Sequence, residues 1–257
     1  MFLFLLACHH NIGFEQKSNE PVEAWKDLLI EVTFIDGVDY QTLQNNRAIL
    51  EDYLGWIGEN GPRMNRLKGI RTKRRKREDR RITHYANAYN AWVLYEILES
   101  YPTDSVENIT LDQFQIFENS YRLDGEYMTL HHIKEERILG TYQEPLLHMM
   151  LFDGSLSSPA LQYWEADQLK HVLRRRFVKY LQSDQGARLE GENWLLSELF
   201  QREEDDFIYW SNKDDLCQYL SEYTRDELQT WLRQQEEQNC SLQFQSWDYR
   251  LNDRKLD

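Results

Sequence analysis

The chain has 257 residues, 41% hydrophobic and 13% aromatic, with only 11 Gly and 5 Pro; this is enough apolar material for a sizeable core and excludes disorder as its general state. Lys and Arg number 30 against 44 Asp and Glu, a formal charge of −14, which argues against sequence-independent binding of nucleic acid or anionic lipid by the whole surface. No nucleic-acid partner is expected.

The N-terminal residues Met1 to Ala7 are entirely apolar and end at Cys8. Seven residues are far short of the roughly 20 that span a bilayer. Leu5-Leu6-Ala7-Cys8 has the form of a bacterial lipoprotein box, in which the Cys is lipidated; no Lys or Arg precedes it, a departure from a complete export signal. The expectation is an atypical lipoprotein signal over 1–8, a flexible polar tether over 9–21 and a globular domain over 22–257. Lipidation would consume Cys8 and leave Cys217 and Cys240 as an even pair, either disulfide-bonded or as two buried thiols.

From Val22 to Leu29 apolar residues recur at helical spacing. Asp36-Gly37 marks a turn, and Tyr40, Leu43, Ile49, Leu50, Tyr53, Leu54 and Ile57 form one face of a second helix. Gly58 to Pro62 ends it. Arg71 to Arg81 holds eight basic residues against Glu78 and Asp79, a net of +6, so the rest of the chain carries −20. A solvated helix face beside acidic neighbours is the preferred reading of that run. Thr83 to Ser100 is the clearest helix, buried on its Tyr85, Tyr89, Trp92, Val93 and Ile97 side and stopped by Tyr101-Pro102.

Phe114–Phe117 and Tyr121–Met128 read as strands, the second pair folding around Asp124-Gly125. Thr129 to Leu139 opens a charged helix. Leu146 to Phe152 is apolar apart from His148, and Asp153 to Pro159 is a loop. Glu165–Gln182 is an amphipathic helix and Trp194–Phe207 a short apolar-acidic unit. Asp214–Tyr223 and Arg225–Asn239 are helices, and Ser241–Phe244 a last strand. Together these predict one helix-rich α+β domain with a small sheet.

Several separated phrases carry a family resemblance. Val38-Asp39-Tyr40, Asn87-Ala88-Tyr89-Asn90-Ala91, Leu130 with Ile133, His148 followed by Gly154, Ser157, Pro159 and Leu161, and the closing Trp247-Asp248-Tyr249-Arg250-Leu251-Asn252 resemble, in order over residues 37–252, the family catalogued as domain of unknown function 547. The resemblance implies an exported or lipid-anchored protein of the bacterial cell envelope, facing the periplasm or outer surface. It also implies thiol chemistry of papain or transglutaminase type, and with it a distant papain- or transglutaminase-like fold, because the family pattern pairs a Cys with the His. Here the two family cysteine positions are Asp153 and Ser158, and Lys134 stands where the family has Glu, unless the match slips to Glu135 or Glu136.

Four readings of this group compete. A serine hydrolase or acyl-transfer enzyme would use Ser158 as nucleophile, His148 as base and Asp153 or Glu136 to orient the imidazole. A metal site would draw on His131, His132, His148, Asp153 and Glu136, but adjacent histidines on a helix point about 100° apart, so no metal and no cofactor is expected. A non-catalytic binding pocket would use Asn87, Tyr89, Asn90, His148 and Asp153 to hold a small polar or glycan-like ligand. The blandest reading makes His148 a core histidine and Ser157-Ser158-Pro159 a structural loop. The binding reading is preferred. Asn87 and Asn90, polar groups on an apolar helix, need amide partners; tying down the 153–159 loop is the preferred role. Asp248 and Asn252 read as turn or capping residues, with Trp247 and Tyr249 packing on the core.

Overall fold

The computed structural model describes residues 20–61, 71–109 and 119–254, with backbone alone for 71–75. The Cys8 box, residues 9–19 of the tether, Pro62 and the Phe114–Phe117 strand lie outside the described residues. What is described is one α+β domain, mostly helical, with three small sheets.

The first layer is α1 (Glu20–Val32), α2 (Tyr40–Asn45) and α3 (Arg47–Glu59). Helix α1 begins two residues ahead of the expected Val22, with Glu20 and Glu23 in its first turn, where acidic side chains favour the positive end of the helix dipole. The single helix expected over 40–57 is two. Asp39 caps α2 by accepting from the Thr42 N–H at 2.8 Å, and the chain turns at Asn46 before α3. Trp25 of α1 stacks on Tyr53 of α3, centroids 5.6 Å apart.

Helix α4 (Arg71–Ser100) runs through the middle of the molecule. It starts twelve residues before the expected Thr83, because Lys and Arg are good helix formers and the basic run simply continues it. From Tyr85 to Ala91 every residue is buried, so this stretch of the helix is surrounded on all sides. Ala86, Ala88 and Ala91 leave room for neighbouring segments to approach. Residues 33–38 form a two-stranded hairpin, β1 (Thr33–Phe34) with β2 (Gly37–Val38). A second hairpin, β3 (Ser120–Leu123) with β4 (Glu126–Thr129), pairs Tyr121 with Met128 around Asp124-Gly125, both at positive φ as a type I′ turn requires.

Thr129 then caps a helical turn, Leu130–His132, that widens into a π-helix over Ile133–Leu139. The apolar run that contains His148 is a 3-10 helix, Pro145–Met150. Helix α5 (Leu169–Leu181) starts later than the expected Glu165. A three-stranded sheet follows: β5 (Ala187–Glu190) and β6 (Asn193–Ser197) are antiparallel, and β7 (Gln243–Gln245) joins β6 in parallel. Strand β5 has no apolar alternation to announce it; three of its four residues are exposed and pairing across Gly191 makes it a strand. The 194–207 unit resolves into β6, α6 (Glu198–Arg202) and α7 (Glu204–Tyr209). Two last helices are α8 (Leu216–Ser221) and α9 (Asp226–Glu236). Cys217 at the start of α8 is disulfide-bonded to Cys240, after α9.

The chain ends as a strap that ties distant loops together. Leu251 N–H donates to the Asp104 carbonyl, Asn252 N–H to Gly154, and Arg254 N–H to Val38, each at 2.9 Å. Gly37 is needed here: a Cβ would lie 2.3 Å from the Asn252 carbonyl oxygen, and its φ is +150°. Trp247 is buried, whereas Tyr249, expected to pack on the core, is 38% exposed because the strap uses its carbonyl, not its ring.

Candidate functional site

Helix α4 supplies the frame. The Asn90 amide donates to the Met150 carbonyl at 2.9 Å, and its oxygen accepts from the Phe152 N–H at 3.1 Å. One turn earlier the Asn87 amide does the same to Trp164, at 2.9 and 2.8 Å. These side chains give a strand-like partner to chain that has none, since a buried peptide group must find one. They grip the chain on either side of the 153–159 loop, at Met150 and Phe152 before it and at Trp164 five residues after it, rather than the loop itself. Gly154, inside the loop, has φ +86° and no space for a Cβ beside Ile97.

Within the loop, the Asp153 carboxylate accepts from the Ser155 N–H at 2.9 Å and the Ser155 hydroxyl at 2.6 Å. The Ser158 hydroxyl accepts from the Asp153 N–H at 3.1 Å and donates to the Pro159 carbonyl at 3.3 Å. Ser158 and His148 do not form the dyad that the serine-hydrolase reading requires: no hydrogen bond joins them among the described residues. His148 is 2% exposed, and its Nε2 is bonded to Asp206 Oδ2 at 2.9 Å. Its ring packs against Phe207 and Trp210, centroids 5.3 and 6.3 Å away. Asp153 is likewise not the orienting group, because both its described bonds are spent inside its own loop.

The π-helix brings a second cluster beside this pair. Lys134 Nζ lies 3.1 Å from Glu135 and 3.2 Å from Glu203. Burial alone would lower the Lys134 pKa, but the two carboxylates outweigh it and hold the ammonium more strongly protonated. Glu203 and Asp206 are three residues apart, hence on one side of their turn. Tyr89 of α4 lies behind both groups: burial pushes its hydroxyl pKa far up, and Asp153, Glu135 and Glu203 add to the rise. Glu136, a candidate from sequence, is exposed; its carbonyl takes the Thr141 hydroxyl at 2.5 Å. His131 is exposed and His132 half-buried on their turn.

His148, Glu203 and Asp206 each offer one donor atom within 4.8 Å of the other two. That donor set suits a divalent cation in type, but the Lys134 ammonium already supplies Glu203 with its positive charge. The arrangement is a satisfied ion-pair network.

The chemistry that remains open lies on the other side of the Ser158–Pro159 loop, in a groove of about 670 Å³. Met149, Leu161 and Tyr180, all buried, form its floor; the 33–38 hairpin is one wall and Arg175, Arg176 and Lys179 of α5 the other. These cations are missing from the sequence reading, yet their spacing of three and four within a helix was a usable signal. Asp206 and Glu203 left no such signal, being 58 and 55 residues beyond His148.

Residues 73–181 match the sequence profile of the family described as Protein of unknown function, DUF547. Over that stretch the chain is similar to DUF547. The DUF547 stretch holds α4, the π-helix, His148, the 153–159 loop and the basic wall of α5; Glu203, Asp206, the 33–38 hairpin and the strap lie outside it. No curated protein and no solved structure matches the chain.

Proposed function

We propose that the protein is a non-catalytic ligand-binding module, exported and lipid-anchored at Cys8 in a bacterial envelope, that takes a small ligand in the groove beside the Ser158–Pro159 loop. The observation that carries this reading is the separation of the would-be nucleophile from its base. A serine hydroxyl needs a general base within hydrogen-bond reach, and the only hydrogen bonds described for Ser158 are to its own loop while His148 is held by Asp206. Acyl transfer through Ser158 and His148, the alternative, would require the imidazole to leave that partner. No described helix is long and apolar enough to cross a membrane.

A glycan-like ligand has separate support in a second concavity of about 320 Å³, walled by Tyr53, Trp56, Tyr163 and Trp164, since aromatic faces suit sugar rings as amphipathic walls. Native mass spectrometry of the purified full chain, before and after Ser158→Ala, tests the module. A retained small molecule and unchanged folding in the variant are expected. A turnover that the variant abolishes would overturn it. Separately, a Cys8→Ala chain should leave the detergent phase; one that stays there refutes the anchor.

A further inference from the structure

The groove beside Ser158 has an uncompensated charge. Arg175, Arg176 and Lys179 lie on one face of α5, and none of the three has a carboxylate partner among the described residues. Arg174, next in sequence, faces elsewhere, its guanidinium on the Glu222 carbonyl and over the Tyr223 ring. Arg176 is half-buried, and its guanidinium donates to the neutral Gln162 side-chain oxygen. Burial, with Arg175 beside it, lowers the Arg176 pKa from its ordinary value, the direction expected of a cation lacking a counter-charge. Among the described residues Asp36 is the one carboxylate lining this groove, and it faces Arg254 at 3.6 Å. In a chain of net charge −14, three unpaired cations around one concavity are not a shortage of acids. Arg175 and Lys179 are exposed at the rim, and Arg176 is the one of the three taken partly out of water, where a charge is normally paired.

The floor of the groove is apolar, while Ser158, Gln162, Gln182, Ser183 and Gln185 add neutral polar groups to its lining. Met149 and Leu161 are 2% and 1% exposed on its floor, Met being the side chain that adapts best to an irregular guest. The volume falls within the range of about 300–1,000 Å³ common to small-molecule sites.

We propose that the groove binds one monomeric amphiphilic anion, its acyl chain on the Met149–Leu161 floor and its carboxylate or phosphate head between Arg175, Arg176 and Lys179. This rests on the binding-module reading and names its ligand class. The cations neutralise the head, and the floor takes the chain out of water.

Calorimetric titration of the full chain carrying Cys8→Ala tests this with four probes: dodecanoate, dodecyl phosphate, dodecanol and inorganic phosphate, the amphiphiles kept monomeric. The two anionic amphiphiles should bind one per chain, at least about tenfold more tightly than either dodecanol or inorganic phosphate. Replacing all three cations, Arg175→Gln, Arg176→Gln and Lys179→Gln, should weaken dodecanoate by about tenfold or more, while Arg174→Gln changes nothing. Should the triple variant fail to fold, the unmodified groove still gives the answer, because its affinity for dodecanoate must fall as ionic strength rises. Equal affinity for dodecanol, or indifference to both charge removal and salt, overturns the proposal. Equal affinity for inorganic phosphate overturns it in favour of a plain anion site. Binding to phosphatidylglycerol vesicles without binding monomeric dodecanoate overturns it in favour of a membrane surface, for which Phe34 and the fully exposed Ile35 at the hairpin tip would be the contact. A neutral molecule retained in native mass spectrometry sinks the ligand class alone; a turnover lost with Ser158→Ala sinks the module beneath it.

Discussion

The Tyr40 hydroxyl donates to Asn252 Oδ1 at 2.8 Å, joining α2 to a residue 212 positions later. Both side chains are buried, and the same asparagine accepts the Val38 N–H through its carbonyl and donates its own N–H to Gly154. The strap therefore locks the hairpin wall of the groove to the loop that carries Ser158. Tyr40→Phe leaves the Asn252 amide oxygen buried without its donor, a cost of about 1–3 kcal/mol. Urea unfolding of the variant should show that loss at unchanged m; a loss below about 0.5 kcal/mol would mean that the strap is not load-coupled to α2.

Asn90 holds two backbone groups with one side chain, so removing it strands both. Asn90→Ala should cost more than a single lost hydrogen bond, with about 1–3 kcal/mol for each group left dry. Asn90→Asp keeps the acceptor for the Phe152 N–H but gives up the donor to Met150 and buries a charge, and should destabilise at least as much. Amide exchange locates the effect: Phe152 should lose protection first. Uniform loss across α4 instead would show that Asn90 stabilises the helix and not the loop.

What the sequence makes legible follows from how local its physics is. The Asp124-Gly125 hairpin, the Thr129 cap and the apolar faces of α1, α3 and α4 are written within a few residues of where they act, and so is the α+β class. The β5 strand is not, because Ala187–Glu190 owes its conformation to pairing with β6 and lacks any alternation of its own. At the site, Asn87 and Asn90 are conspicuous as polar residues on an apolar helix, but their partners at 150, 152 and 164 are set by tertiary structure. His148 shows the limit most clearly. Nearness in sequence points to Asp153 and Ser158, whereas the fold presents Asp206 from a helix far along the chain.

Burial raises the pKa of a set of tyrosine hydroxyls: Tyr40 and Tyr53 well above the ordinary value, Tyr163 to about 12, and Tyr101 to about 12 with Asp253 adding to it. A folded-state pKa above the unfolded value of about 10 means the native state keeps protons that the unfolded chain would lose. The stability tied to these groups is thus complete below pH of about 10 and declines as pH rises beyond it. Phenolate absorbance followed through an alkaline titration should show the fully buried Tyr40 and Tyr53 ionising only together with loss of helical circular dichroism, while the half-buried Tyr101 and Tyr163 ionise at about pH 12 without it. Ionisation of all four at full helicity would contradict the burial of Tyr40 and Tyr53.

The Cys217–Cys240 bond closes a loop with a sequence separation of 23. Restricting the unfolded chain by that much stabilises the fold by about 3 kcal/mol, and for a chain of this size should raise Tm by roughly 6–12 °C. Comparing the oxidised chain with the Cys217→Ser, Cys240→Ser double variant measures it. Reduction by dithiothreitol should reproduce the variant's Tm. No difference between oxidised and reduced protein would mean that α8 and α9 are held by packing alone.

Whether His148 belongs with Asp206 or with Ser158 is a question of coupling, and double-mutant cycles answer it directly. Residues that share a hydrogen bond give interaction energies of about 0.5–3 kcal/mol, while separated ones add to within about 0.3–0.5 kcal/mol. His148→Gln and Asp206→Ala should therefore be strongly non-additive, since each removes the partner of the other; the single Asp206→Ala change leaves a nearly sealed imidazole without its acceptor. His148→Gln and Ser158→Ala should add, and Ser158→Ala alone should cost little, because the Asp153 N–H it serves sits in a half-buried loop. Coupling that appears in the Ser158 cycle and vanishes in the Asp206 cycle would reverse the assignment and restore a serine–histidine pair as the chemistry of this loop.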